Sequence, residues 1–208
     1  MNESVIEIGP AQIAQGLPPN FLGIMHDWGI EVIRIIQRIE SPALAAAMQF
    51  ISALGSEMLF VPFILFILWW IDEKRGLSFG VFLIISAWIN AFMKDLFAQP
   101  RPFHIDPSLG IAAASGYGAP SGHAQLAVCF WIPAAAWLEA ARPRRRQLIW
   151  AAAIFIILII GFSRLYLGAH FPTDIFAGWI LGAVFLFIFF ALCPRIGKIL
   201  ASGGIRAQ

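Results

Sequence analysis

Charge is what this chain most lacks. Only 12% of its 208 residues are Asp, Glu, Lys or Arg, 60% are hydrophobic and the mean hydropathy is +0.79. An ordinary soluble domain, in which about a quarter of residues are charged, is excluded. Cysteine is scarce as well: Cys129 and Cys193 both fall inside apolar runs, which leaves no disulfide framework and no metal-ligand spacing, so both are expected as small core residues. No basic field is present to hold nucleic acid, and the net charge of +2 says less than where the cations sit. The N-terminus, with Glu3 and Glu7, lacks the basic and apolar start of a cleaved secretory signal, and no internal repeat is visible. What remains is a chain suited to a bilayer.

The expected fold is all-α: a polytopic transmembrane helix bundle of about five spans, preceded by N-terminal interfacial amphipathic helices. Residues 1–20 are polar and carry Pro and Gly, so they read as an irregular arm. Across 21–56, Ile24, Trp28, Val32, Ile35, Ile36 and Ile39 recur at helical spacing, with Asp27, Glu31, Arg34 and Arg38 on other faces. This pattern predicts a helix lying in the interface. Ser41-Pro42 starts a second helix, whose apolar part, Ala43 to Leu54, is too short for a hydrocarbon core that needs about 20 residues. The transmembrane core is expected over 57–194. Its spans run from Glu57 to Ile71, Gly76 to Ala98, Ser121 to about Ala140, Gln147 to about Leu165, and Pro172 to about Cys193. Asp72 to Arg75 forms the first turn, Gln99 to Pro120 a long loop, and 195–208 a cytoplasmic tail.

If the spans alternate, Lys74, Arg75, Arg142, Arg144, Arg145, Arg146, Arg195, Lys198 and Arg206 share one side, which the positive-inside rule makes cytoplasmic. Arg34, Arg38, Lys94, Arg101 and Arg164 stay on the other. Three of those five belong to segments that carry chemistry.

The first segment is Lys94, six residues, then Arg101-Pro102. The second is Pro120-Ser121-Gly122-His123. The third is Ser163-Arg164, five residues, His170, three residues, then Asp174. All lie at span ends on the same side. Lys94, Arg101 and Arg164 would repel one another without an anion between them, and guanidinium groups match phosphate oxygens with paired hydrogen bonds. Snorkelling toward lipid headgroups accounts for Lys94 alone, but not for the three together. Ser121 and Gly122 open a predicted helix, where free backbone N–H groups and the helix dipole favour an anion; Ser121 also suits a plain N-cap. His170 and Asp174 stand four apart across a helix start marked by Pro172, so the carboxylate can hold one imidazole nitrogen while the other faces the anion. His170 is therefore the expected nucleophile, Asp174 its orienter and His123 the general acid and base. His26 and His104 are expected to be structural. No metal and no cofactor are called for, because cations and helix N-termini supply the positive charge.

Together these segments resemble the three-part signature of the type 2 phosphatidic acid phosphatase superfamily: Lys-x6-Arg-Pro, Pro-Ser-Gly-His and Ser-Arg-x5-His-x3-Asp. The resemblance implies a metal-independent phosphoric ester hydrolase working through a phosphohistidine. By that resemblance His170, Asp174 and His123 are catalytic, and Lys94, Arg101, Ser121, Gly122 and Arg164 bind the substrate phosphate. His26-Asp27-Trp28-Gly29 and Ala169-His170-Phe171-Pro172 are similar to stretches of glucose-6-phosphatase. The leading expectation is a bacterial inner-membrane phosphatase, its site facing periplasm or lumen. Its substrate would be a lipid-linked phosphate such as phosphatidate, phosphatidylglycerophosphate or a polyprenyl diphosphate. A second reading takes a water-soluble sugar phosphate, or passes the phosphoryl group to an acceptor other than water. A third is a non-enzymatic anion transporter, which accounts for the cations but not for Asp174 behind His170. The expected partners are the phosphorylated substrate and membrane lipids, with no nucleic acid; the oligomeric state is left open.

Overall fold

A computed structural model describes residues 21–112 and 115–202, and no strand occurs among them. The expected arm over 1–20 and the end of the tail, 203–208, lie outside the described residues.

Two helices precede the bundle, α1 (Phe21–Gln37) and α2 (Pro42–Ala53). Helix α1 is two-faced: Ile30 and Ile33 are buried against Leu109 and Phe171, while Ile24, Trp28 and Ile35 are exposed. Its polar groups bind it to the loops beneath. Gln37 Nε2 donates to the Leu109 and Tyr166 carbonyls at 2.9 and 2.8 Å, and Arg34 pairs with Asp106 at 2.8 Å. Helix α2 starts where the sequence predicts, with the Ser41 hydroxyl accepting from Leu44 N–H at 3.2 Å and Pro42 in the first turn.

Helix α3 (Glu57–Phe66) contains Pro62 and runs into a π-helical turn, Ile67–Ile71. It meets α2 at a 42° bend across Leu54 to Ser56. Helix α4 (Glu73–Phe97) follows after Asp72 alone. The expected four-residue turn is therefore shorter, because Gly76 N–H already bonds the Asp72 carbonyl at 2.9 Å and a Cβ on Gly76 would strike Leu68. The long loop contains the short α5 (Pro102–Ile105) and a 3-10 turn, Pro107–Leu109. Helix α6 (Gly122–Ala141), a second 3-10 turn (Pro143–Arg145), α7 (Arg146–Tyr166) and α8 (Pro172–Ser202) complete the order.

Among the described residues, four segments are long and apolar enough to cross a membrane: Gly76–Ile105, Gly122–Ala141, Pro143–Tyr166 and Pro172–Ala191. The bent pair of α2 with α3 makes a fifth if it is counted as one span, and α1 is not among them. The chain is thus an all-α transmembrane bundle. Its core joins α3, α4, α6, α7 and α8 through Phe60, Phe82, Phe130, Ile160 and Leu186. Helix α8 approaches α6 closely because Gly178 and Gly182 face it. A Cβ at Gly178 would come within 2.5 Å of the Ser121 carbonyl, and one at Gly182 within 2.8 Å of the Gln125 carbonyl. Small residues four apart are how membrane helices bring backbones together.

Candidate active site

The turn from α7 to α8 sets the geometry. Gly168 takes φ +66°, a left-handed conformation that ends α7, and its Cα lies against the Leu109 carbonyl, where no side chain fits. Ala169 N–H returns to the Arg164 carbonyl at 3.0 Å. The chain then presents His170, 1% exposed, before Pro172 opens α8. In the first turn of α8, Asp174 Oδ2 accepts from Phe171 N–H at 2.9 Å and lies 3.4 Å from His170 Nδ1.

Arg101 reaches the same turn from the start of α5, with all three guanidinium nitrogens engaged. Nε donates to the Gly116 carbonyl at 2.8 Å, one terminal nitrogen to the Ser115 carbonyl at 2.7 Å and the other to the Ala169 carbonyl at 2.9 Å. The last of these also stands 3.3 Å from His170 Nε2. Because arginine can only donate, Nε2 accepts, and the imidazole proton sits on Nδ1, toward Asp174. Burial first, and then the positive charges of Arg101, Arg164 and Lys94, hold the His170 imidazole well below its usual pKa. The ring is neutral, with its lone pair on the side of the cations.

Arg164 comes from the last turns of α7 and is also buried. One terminal nitrogen donates to Ser52 Oγ at 2.7 Å, while its Nε is buried with no protein partner. Ser121 caps α6, and its N–H donates to the Asp174 carbonyl at 3.0 Å, which joins the second and third segments. Gly122 lies under Asn90: a Cβ there would come within 3.0 Å of Asn90 Oδ1. His123 and Lys94 line a cavity of about 420 Å3 between the starts of α3 and α6 and the C-terminal part of α4, with Asn90, Glu57 and Leu126 in its walls. The structure thus brings the eight expected site residues to one end of the bundle, with Arg101, His170 and Asp174 in a contiguous row. A roomier apolar cavity, about 670 Å3, lies at the other end of α6 beside Arg142 and Arg145 and touches none of them. Among the described residues, no three His, Cys, Asp or Glu side chains are placed to share a metal ion.

Residues 75–198 match the family model of the PAP2 superfamily. The chain belongs to this superfamily. Undecaprenyl-diphosphatase of Sulfolobus acidocaldarius is 26% identical over 168 residues, which cover 77% of this chain and 76% of that protein. Phosphatidylglycerophosphatase B of Bacillus subtilis is 27% identical, covering 72% and 75%. The glucose-6-phosphatase catalytic subunit of Mus musculus is 24% identical over 77% of this chain, which spans about half (52%) of that longer protein. In fold, the chain matches the crystal structure of a transmembrane PAP2-type phosphatidylglycerolphosphate phosphatase from Bacillus subtilis. The TM-score is 0.73 at 24% identity, over 85% of this chain and 94% of that one. This PAP2 protein is accordingly a membrane phosphoric ester hydrolase.

Several residues that build the PAP2 site fall outside its signature. Asn90 Nδ2 donates to Gln125 Oε1 at 2.7 Å, and Gln125 Nε2 donates to the Ser86 hydroxyl and carbonyl at 2.8 and 2.9 Å. This buried chain ties α4 to the start of α6. Its signal in the sequence is three polar side chains inside apolar spans, rare and usually paired. Ser52 carries no such signal, since a single serine in an apolar helix is common. His26 stacks on Phe171 with ring centroids 4.8 Å apart, and His104 Nδ1 accepts from Arg101 N–H at 3.3 Å; both have structural partners.

Proposed function

We propose that the chain hydrolyses a lipid-linked phosphate through a phosphohistidine at the non-cytoplasmic face of a bacterial inner membrane. The observation that carries this reading is the buried row Arg101, His170, Asp174, in which a neutral imidazole has its lone pair on the cationic side and a carboxylate behind it.

The substrate's phosphoryl group lies among Lys94, Arg101, Arg164 and the N-terminus of α6 at Ser121 and Gly122. There the fixed donors neutralise charge that grows on its equatorial oxygens. His170 Nε2 attacks phosphorus as the bond to the leaving oxygen breaks, and His123 gives that oxygen a proton. As the attacked ring becomes cationic, its Nδ1–H bond to Asp174 strengthens. Water then attacks the phosphoryl group, His123 takes its proton, the N–P bond breaks and inorganic phosphate leaves. Arg101 Nη1 rests on Nε2 before substrate arrives, so binding moves that donor onto a phosphoryl oxygen and frees the lone pair.

A lipid substrate is supported by the cavity beside Lys94 and His123, where the general acid stands among α3, α4 and α6: exposed Met58 of α3 lines it, and Ile84 and Trp88 of α4 are exposed apolar side chains as well. The undecaprenyl-diphosphatase and phosphatidylglycerophosphatase relatives support the same class. Placing the site outside rests on the clustering of Arg142 to Arg146 at the opposite end of α6. The test is a panel on the purified protein in detergent: phosphatidate, phosphatidylglycerophosphate and undecaprenyl diphosphate beside glucose 6-phosphate. One lipid is expected to exceed the sugar phosphate by at least about 100-fold in kcat/KM; a preference for the sugar phosphate would overturn the lipid reading.

A further inference from the structure

Ser52 lies on α2, outside every signature segment, yet it is buried and its hydroxyl holds one end of the Arg164 guanidinium at 2.7 Å. Its place there is built. The bend after α2 is fixed on three sides: Trp131 Nε1 donates to the Leu54 carbonyl at 3.3 Å, Gly55 fits under Ile160 where a Cβ would come within 2.7 Å, and the same Cβ would lie 3.2 Å from the His123 carbonyl. A larger residue at 55 would push α2, and the Ser52 hydroxyl with it, away from the site.

The other half of the observation is the Nε of Arg164, a charged N–H buried with no protein partner. An orphaned buried donor on a cation costs stability unless a ligand satisfies it. Ser52 occupies one terminal nitrogen, so the edge carrying Nε is left for a ligand, and an Nε edge matches two phosphoryl oxygens in a bidentate pair. A guanidinium on a long side chain would otherwise rotate among several orientations.

We propose that Ser52 is a positioning residue: its hydroxyl fixes the Arg164 guanidinium so that the Nε edge faces the phosphoryl group. This rests on Arg164 binding phosphate, as proposed above. The α2 helix is then part of the active site rather than only a neighbour of it.

The test compares Ser52→Ala, Ser52→Cys and Ser52→Thr in the full chain, reading kcat and KM on the best substrate of the panel and inhibition by orthovanadate, a phosphoryl-sized anion. Loss of a buried hydrogen bond to a charged group predicts a fall of roughly 10- to 100-fold in kcat/KM for Ser52→Ala, with vanadate inhibition weakened to a similar degree. Ser52→Cys, close in volume but a poor acceptor, is expected to fall likewise and carries the test if Ser52→Ala does not fold. Ser52→Thr, which keeps the hydroxyl, should stay within about threefold of the parent. In an Arg164→Ala background, Ser52→Ala should add nothing. Parent-like vanadate inhibition in Ser52→Ala or Ser52→Cys overturns the proposal, as does a loss in Ser52→Thr equal to that in Ser52→Ala, which would make the effect one of packing. If Arg164→Ala itself keeps full activity, the phosphate-clamp reading fails first. A damaged Arg164→Ala beside an unaffected Ser52→Ala refutes the Ser52 proposal alone.

Discussion

The two ends of α6 are packed differently. From Ser121 to Phe130 the helix is largely buried; Ala124, Ala127 and Cys129 are fully enclosed, and α8 approaches at glycine distance. From Trp137 to Ala141 it is mostly exposed, and a cavity of about 670 Å3 separates it from α7 beside Arg142 and Arg145. The difference lies in side-chain size as much as in polarity. At the site end, glycines on the neighbouring helix let backbones touch, while at the other end only Ala135 and Ala153 pack with Ile149 in a small cluster, and Ala134 and Ala152 line the cavity beside it. Chemistry needs donors held within fractions of an ångström, which suits the tight end to the proposed site, while the loose end only has to be stable in lipid.

The comparison breaks if the two ends respond alike to added bulk. Gly178→Val places a side chain where a Cβ already lies 2.5 Å from the Ser121 carbonyl, so the start of α6 must move. Turnover is expected to fall at least about 100-fold, with thermal unfolding in detergent showing a loss of roughly 1–3 kcal/mol or more. Parent-like turnover would show that the close approach is incidental.

Next in size is the proposed general acid. His123→Ala should slow substrates with poor leaving groups by about 100-fold or more and those with good leaving groups, such as nitrophenyl phosphate, far less. An equal loss on both would remove His123 from that role. The buried chain of Ser86, Asn90 and Gln125 comes third. Gln125→Leu leaves Asn90 Nδ2 only a long 3.4 Å bond to the Pro120 carbonyl and the Ser86 hydroxyl only Cys129, and is expected to cost about 1–3 kcal/mol of stability, read by denaturation, with a smaller loss of activity.

Two effects should be small. Hydrogen bonds from Ser108 first, and then from Arg34, hold the Asp106 carboxyl below its usual value of 3.8. A carboxyl depressed in the folded state adds stability that is fully present above about pH 4, its unfolded range, and is lost as pH falls through the lower folded value. Asp106→Asn should therefore flatten the acid side of a thermal-midpoint profile while leaving neutral pH almost unchanged; an effect confined to neutral pH would contradict this sign. At the loose end, Ala152→Leu adds volume where a cavity exists, so the thermal midpoint should hold or rise slightly. A loss as large as that of Gly178→Val would erase the contrast.

Much of the fold was legible because long apolar runs declare spans. Helices α4, α6 and α7 begin and end within a few residues of where hydrophobicity and prolines put them, whereas α8 begins at Pro172 as expected but continues to Ser202, past the expected end near Cys193 and into the expected tail. The α2–α3 bend was less so, since a short run containing Pro62 fits neither a full span nor a surface helix. Asp72 to Arg75 looked like a turn from its charges, yet Glu73 to Arg75 open α4, where an acidic residue in the first turn suits the helix dipole. In the site, the nearness of His170 to Asp174 follows from a four-residue spacing across a helix start. What holds Arg101 does not: its partners are the carbonyls of Ser115, Gly116 and Ala169, and backbone acceptors leave no mark on residue identity. Ser52 was hidden for a related reason, because its meaning comes from a bend that brings it to Arg164 across 112 positions.

The most direct measurement of the central claim is a brief exposure of the purified protein to substrate labelled in the phosphoryl group, followed by alkaline quench and peptide mapping. The account predicts an acid-labile, base-stable phosphate on His170 that forms and decays at rates compatible with turnover, and none in His170→Ala, whose activity is abolished. Undiminished turnover in a folded His170→Ala protein, or label on another residue, would contradict it.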